Sequence, residues 1–192
     1  ICLFIEYKEY KTNNFKQIDS TLTFNDGDEP LIDNIYSLTL TKDDTYDCLL
    51  NGELLPIEKT PFYLEGLKLV NIARNEVGNI GGLKYTEWYG FNGHAMWCAI
   101  FVSYVANEAG FIDKGVLPKF SSVSMGLNWF MENGLFRYSF NDYIPNPGDI
   151  IFFDYPIDDN YLVDHMADHV GIVEKVEDGT IYCIEGNYND EC

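Results

Sequence analysis

Positive charge is scarce in this chain. Twelve Lys and Arg stand against 31 Asp and Glu, for a formal net charge of −19. Such a surface repels phosphate backbones, which excludes nucleic-acid binding as a main role. Its plain consequence is solubility. Long hydrophobic runs are also missing, and none approaches the length of a membrane span. The opening "ICLFI" runs straight into the charged "EYKEYK" and has neither the basic region nor the cleavage site of a signal peptide. The chain starts at Ile1 rather than Met and reads as an excerpt of a longer polypeptide. Cysteine is sparse: Cys2, Cys48, Cys98, Cys183 and Cys192 include no CxxC pair, so a structural zinc site has no support. Their odd number does not read as a disulfide framework. Spacing allows Cys2 to pair with Cys48 without deciding it, and the redox compartment stays open.

What is present is enough for a core. Hydrophobic residues make up 46% of 192 residues, which suits one ordinary domain or one domain with a small companion. Residues 1–59 read as a small β-rich module. "CLFIEYKEY", "STLTF", "NIYSLTL" and "YDCLL" are rich in aromatic and β-branched residues and are separated by turn material such as "KTNN" and "NDGDEP". From residue 60 the period changes. Thr60 can cap a helix and Pro61 suits its first turn. Phe62, Leu64, Leu67, Val70 and Ala73 follow at helical spacing, with Val77 one turn on, and Gly78-Asn79 stops the run. "GNIGGLKYTEWYGFNGHA" reads as a Gly-rich loop. "MWCAIFVSYVANEAGF" then reads as a helix with Trp97, Ile100, Phe101, Tyr104 and Val105 on its apolar face and Gly110 at its end. "SVSMGLNWFMENG" is a further short helix, capped by Ser122 or Ser124. "NPGDIIFFDY" enters a buried strand, and "DHVGIVEKV", "EDGT" and "IYCIEG" form a β-hairpin. Helices first and antiparallel strands afterwards make residues 60–192 an α+β domain.

Cys98 falls in the first turn of its predicted helix. A helix N-terminus stabilises a thiolate through its unpaired N–H groups and its dipole, which a mid-helix position would not. A nucleophilic cysteine needs an imidazole beside it, and the imidazole needs an orienting partner. The chain has three histidines, His94, His165 and His169. His169 opens the first strand of the hairpin. The returning strand carries Glu185 and Asn187, two apart and therefore on one face, within cross-strand reach of His169. His94 reads as a surface residue. His165 and His169 have an H-x3-H spacing, but it runs into a strand and lacks a third ligand, so no metal is expected. Asp168 faces away from His169 on a strand and has no triad role, Asp149 orders a loop, and Cys183 is core packing. An oxyanion hole would use the Cys98 N–H and a second donor, for which Tyr89 and Asn92 are candidates. Trp88, Tyr89 and Trp97 either line a substrate groove or pack beneath the Gly-rich loop.

The blocks "WCAIFVSYVANEAG", "NPGDIIFFDY", "DHVGIVEKV" and "IEGN", in that order across residues 60–187, closely resemble the CHAP domain (cysteine, histidine-dependent amidohydrolase/peptidase). The resemblance implies a papain-like fold with helices packed on an antiparallel sheet. It implies Cys98 as nucleophile, His169 as general base, Glu185 as the third member and Asn187 as a supporting residue. It further implies a peptidoglycan substrate, cut at the muramoyl–L-alanine amide or within the stem peptide or cross-bridge. The setting would be secreted or wall-associated, or phage- or prophage-encoded as in endolysins, with further wall-binding or surface domains beyond this stretch. Some relatives carry an acidic calcium loop before the cysteine. Here "GFNGHAMW" has no Asp or Glu, so neither calcium nor another cofactor is expected. CHAP domains also continue past "EGN" to a final strand, which this chain is expected to miss. Two rival readings are a binding module without catalysis and a cysteine peptidase or amidase with a non-wall substrate.

Overall fold

The computed structural model describes residues 61–138, 143–155 and 166–192, together with the strand segments 36–40, 46–50 and 53–54. The strands expected around 2–10 and 20–24, the cap at Thr60, and His165 lie outside the described residues. The chain divides into two compact units, with the division between Leu64 and Glu65.

In the first unit, β1 (Tyr36–Leu40), β2 (Tyr46–Leu50) and β3 (Glu53–Leu54) form an antiparallel meander in the order β1-β2-β3. β1 and β2 coincide with the "NIYSLTL" and "YDCLL" segments. Helix α1 (Pro61–Arg74) carries the chain across the division.

The second unit is α+β. It continues α1 and adds α2 (Leu83–Tyr89), α3 (Cys98–Glu108), α4 (Val123–Glu132) and a sheet of β4 (Ile150–Phe153), β5 (His169–Glu177) and β6 (Thr180–Glu185). The sheet is antiparallel throughout, in the order β4-β5-β6. Helix α3 lies at the centre of the core. It is buried almost all round, at Cys98, Ala99, Ile100, Phe101, Val102, Ser103, Val105 and Ala106, so its burial is wider than the single apolar face its spacing implies. It meets Val170, Ile172 and Ile184 of the sheet and Leu69, Val70 and Ala73 of α1 in one cluster. Each large apolar side chain so buried contributes about 1.5–3 kcal/mol. The one buried hydroxyl of α3 is fully used: Ser103 Oγ donates to Phe120 O (2.6 Å) and accepts from Phe120 N (2.8 Å). This pins the connection after the helix.

Two expectations change. Leu64 and Val77 of the α1 segment are exposed, and Leu69 takes the core position instead. The stretch read as a Gly-rich loop contains helix α2. Its glycines bracket the helix: Gly82 (φ 61) starts it and Gly90 (φ 110) ends it, both in the left-handed region that favours glycine. Counting glycines therefore pointed to a loop where they mark the two ends of seven helical residues. Helix α2 is tied to the end of α1 by the buried Glu76 carboxylate. Glu76 accepts from Tyr85 Oη (2.8 Å), Lys84 Nζ (2.5 Å) and Asn79 Nδ2 (3.1 Å). Burial first, then this carboxylate, pushes the Tyr85 hydroxyl well above its usual pKa, so it remains a donor. Ser122 caps α4 by accepting from Met125 N at 3.3 Å. Asp149 orders the turn into β4: its Oδ2 accepts from Tyr143 Oη (2.5 Å) and Asn146 N (2.8 Å), and its carbonyl accepts from Val173 N (2.8 Å). Burial raises its pKa to about 7 against the pull of those two hydrogen bonds.

Candidate active site

Cys98 is the first residue of α3 and is 4% exposed. Trp97 before it makes no side-chain cap, so the first-turn N–H groups and the positive end of the helix face the sulfur. His169 is the first residue of β5, opposite Phe153 of β4, and its ring is buried. Glu185 is the last residue of β6 and pairs with Gly171, two residues along from His169 on the same face. That register aims the carboxylate at the imidazole. His169 Nε2 lies 2.9 Å from Glu185 Oε2. The oxygen sits off the line of the ring N–H, so the contact is a close ion pair rather than a well-directed hydrogen bond. With Nε2 committed to Glu185, Nδ1 is the nitrogen left for Cys98.

The electrostatics follow from this placement. Burial works against the charged imidazolium, but the adjacent Cys98 sulfur and Glu185 carboxylate outweigh it and raise the His169 pKa to about 9. A protonated imidazole is therefore favoured at neutral pH between the Cys98 sulfur and the Glu185 carboxylate. This is the arrangement that acyl transfer needs.

Gly171 makes the pairing sterically feasible. A Cβ there would stand 2.7 Å from Glu185 Cγ and 3.2 Å from Ile184 O. The carboxylate crosses the strand over the missing side chain. Gly171→Ala is expected to push Glu185 off His169 and lower kcat by ~10²-fold, the scale of an ångström-size misplacement, with a smaller loss of stability. Steady-state kinetics and a thermal melt check this; an alanine variant with wild-type kcat would show that the slot is not needed.

The structure gives the other sequence candidates different positions. Asn187 does not continue the strand beside Glu185. β6 ends at Glu185, Asn187 has φ 62, and its amide donates to Met96 Sδ at 3.6 Å. The expectation that both residues share one extended face fails at that turn. Trp97 has no exposed surface to offer a substrate: its indole stacks on Tyr85 with centroids 5.0 Å apart. Trp88 and Tyr89 are partly buried against the core, and Lys119 Nζ lies 4.5 Å from each ring. Asn92 is exposed and makes no hydrogen bond among the described residues. Among the described residues no group of three or more His, Cys, Asp or Glu is arranged to hold a metal.

Two aromatic residues that the sequence reading passed over stand beside His169. Tyr155 and Tyr188 have ring centroids 6.3 and 6.4 Å from its imidazole. Both are exposed, and Tyr155 stacks on Phe153. Burial first, then the negative groups of Glu185, Tyr188, Asp168 and Cys98, raise the Tyr155 pKa. Asp168 fixes Tyr155 by accepting from its backbone N–H at 2.9 Å. Their signal in the sequence was position alone: Tyr155 follows the "IIFFD" block and Tyr188 follows "EGN". A cleft of about 270 Å³ opens beside the carboxylate, lined by Cys183, Glu185, Tyr188, Glu191 and Cys192. Burial, with neighbouring carboxylates adding to it, pushes both of these thiols up to about 12. Among the described free cysteines, Cys98 is therefore the one with an imidazole beside it, while Cys183 and Cys192 are held as neutral thiols.

No curated protein and no solved structure matches this chain. The family model of the CHAP domain matches residues 88–187, more than half of the 192 residues, and the match contains Cys98, His169 and Glu185. This chain belongs to the CHAP domain family.

Proposed function

We propose that the chain is a peptidoglycan hydrolase that cuts an amide bond of the wall peptide, as a muramoyl–L-alanine amidase or an endopeptidase. The observation that carries this reading is the buried His169 ring held between Cys98 and Glu185 with its pKa raised to about 9. Sγ of Cys98, as thiolate, attacks the amide carbonyl, and the developing oxyanion is stabilised at the N-terminus of α3. His169 gives its proton to the departing amine as the C–N bond breaks, which leaves a thioester on Cys98. Neutral His169 then takes a proton from water. The hydroxide equivalent adds to the thioester carbonyl, and the carboxylate product leaves while the thiolate–imidazolium pair is restored. Glu185 keeps the ring oriented and its charge compensated throughout. Tyr155 and Tyr188 wall the approach to the imidazole. Such an enzyme acts at the cell wall, whether secreted, wall-associated or encoded by a phage.

Mass spectrometry of products from purified peptidoglycan tests this reading. The expected result is one new amine for each new carboxylate, at a single type of bond. New L-alanine amino termini identify an amidase, and termini within the stem or cross-bridge identify an endopeptidase. Intact peptidoglycan after exposure to the folded protein would reject the reading.

A further inference from the structure

The turn that follows the catalytic strand β6 is unusual in its backbone. Asn187, Asn189 and Asp190 have φ of 62, 52 and 64. Asn and Asp are the non-glycine residues that take this left-handed region most readily. Asn189 and Asp190 are the two central residues of a tight turn closed by reciprocal Tyr188–Glu191 backbone hydrogen bonds of 3.1 Å, and the turn is fastened in addition to segments before Cys98. The Asp190 carbonyl accepts from Gly81 N at 2.8 Å, and Cys192 N donates to Asn79 O at 2.9 Å. The side chains grip the residues immediately before Cys98. Asn187 Nδ2 reaches Met96 Sδ at 3.6 Å. Asp190 Oδ1 accepts from Trp97 Nε1 at 3.1 Å and stands 2.9 Å from His94 Nε2. Asp190 thus touches two of the four residues from His94 to Trp97, and the indole it holds belongs to the N-cap residue of α3.

From this geometry we infer that Asp190 is a positioning residue for the nucleophile. Through the indole of Trp97 and the ring of His94 it locks the entry to α3, and hence Cys98, in register with the His169–Glu185 pair. Asp190 touches no reacting atom. It lies beyond residues 88–187, the stretch that the CHAP family model matches. The inference rests on the proposed thiol mechanism for its consequence, but its geometry is independent of the substrate. Trp97 is completely buried, stacked on Tyr85 and edge-on to Phe101, so a shift of its indole is transmitted to the next residue. The carboxylate is held ionised: the His94 and Trp97 hydrogen bonds lower its pKa.

The test uses Asp190→Gly and Asp190→Asn in the full chain. Glycine accepts the left-handed backbone at 190 without strain and removes only the carboxylate. Asparagine tolerates the same backbone and retains an oxygen to accept from the indole. Two readouts are needed: the rate of alkylation of Cys98 by iodoacetamide at pH 7, followed by peptide mapping, and the pH profile of wall clearing. Asp190→Gly is expected to slow Cys98 alkylation at least ~10-fold and to draw the alkaline limb of clearing down from about 9 towards 6.5, the ordinary histidine value. Asp190→Asn is expected to return alkylation to within about threefold of wild type. A merely structural residue would change the melting temperature without moving that limb. Wild-type alkylation in folded Asp190→Gly would overturn the inference, and so would an Asp190→Asn variant as slow as Asp190→Gly. Should Asp190→Gly fail to fold, Trp97→Phe removes the donor from the other side; an unchanged Cys98 rate in that variant is equally fatal. The alkylation arm needs no substrate. If the wild-type protein leaves peptidoglycan intact, the proposed function falls while the role of Asp190 is still decided.

Discussion

Cys98→Ala is expected to abolish turbidity clearing of cell-wall suspensions, a loss of ~10³-fold or more, with the fold retained. Nothing else among the described residues can take over. The other described cysteines, Cys183 and Cys192, are free but have their thiols pushed up to about 12, and neither has an imidazole beside it. Replacing a buried cysteine by alanine in the first turn of α3 costs about 1 kcal/mol, so a thermal melt should show little change. Cys98→Ser is expected to be nearly as inactive, because a serine hydroxyl stays protonated where a thiol forms an ion pair with imidazole. Full lysis by a folded Cys98→Ala protein would sink the thiol mechanism.

Wall clearing is expected to decline as pH rises through about 9, and His169→Ala is expected to match the Cys98→Ala loss. The direction follows from the charges around the ring. Burial alone would depress the His169 pKa, but Cys98 and Glu185 overcome it and lift the value from 6.5 to about 9. Protonated His169 is the acid that releases the amine. Above about 9 that acid is gone. Stability has the same sign. Because the folded His169 value exceeds the unfolded one, the stabilisation that its protonation carries is fully present below 6.5 and is lost as pH rises through about 9. In Glu185→Gln one of the two raising charges is removed, so the alkaline limb should move to lower pH. Initial clearing rates measured from pH 5 to 10 on both proteins check this. A limb unmoved in Glu185→Gln would show that the carboxylate at 2.9 Å does not support the imidazolium.

The proposed Asp190 clamp and the Gly171 slot are the supports of the proposed catalytic residues. Gly171 lets Glu185 cross the strand to His169, and Asp190 holds the residue before Cys98. Among the described residues no helix is long and apolar enough to cross a membrane.

The sequence by itself determined that Cys98 falls in the first turn of a core helix, that His169 opens a strand, and that Glu185 returns on the partner strand. These follow from periods of 3.6 and 2, from caps, and from a tight Asp178-Gly179 turn, all of which are written within a few residues of one another. The tertiary structure decided the rest. Glu185 serves the histidine and Asn187 does not, because the backbone turns to positive φ one residue past Gly186. Trp97 is buried support rather than a substrate surface, because Tyr85, from a stretch read as loop, forms a helix that stacks on it. Asp190 reaches His94 and Trp97 across more than 90 residues of chain. A periodic pattern reports which face of an element is buried. It carries no information on which distant polar group meets that face, since such contacts are set by packing between elements and by where the chain leaves a strand.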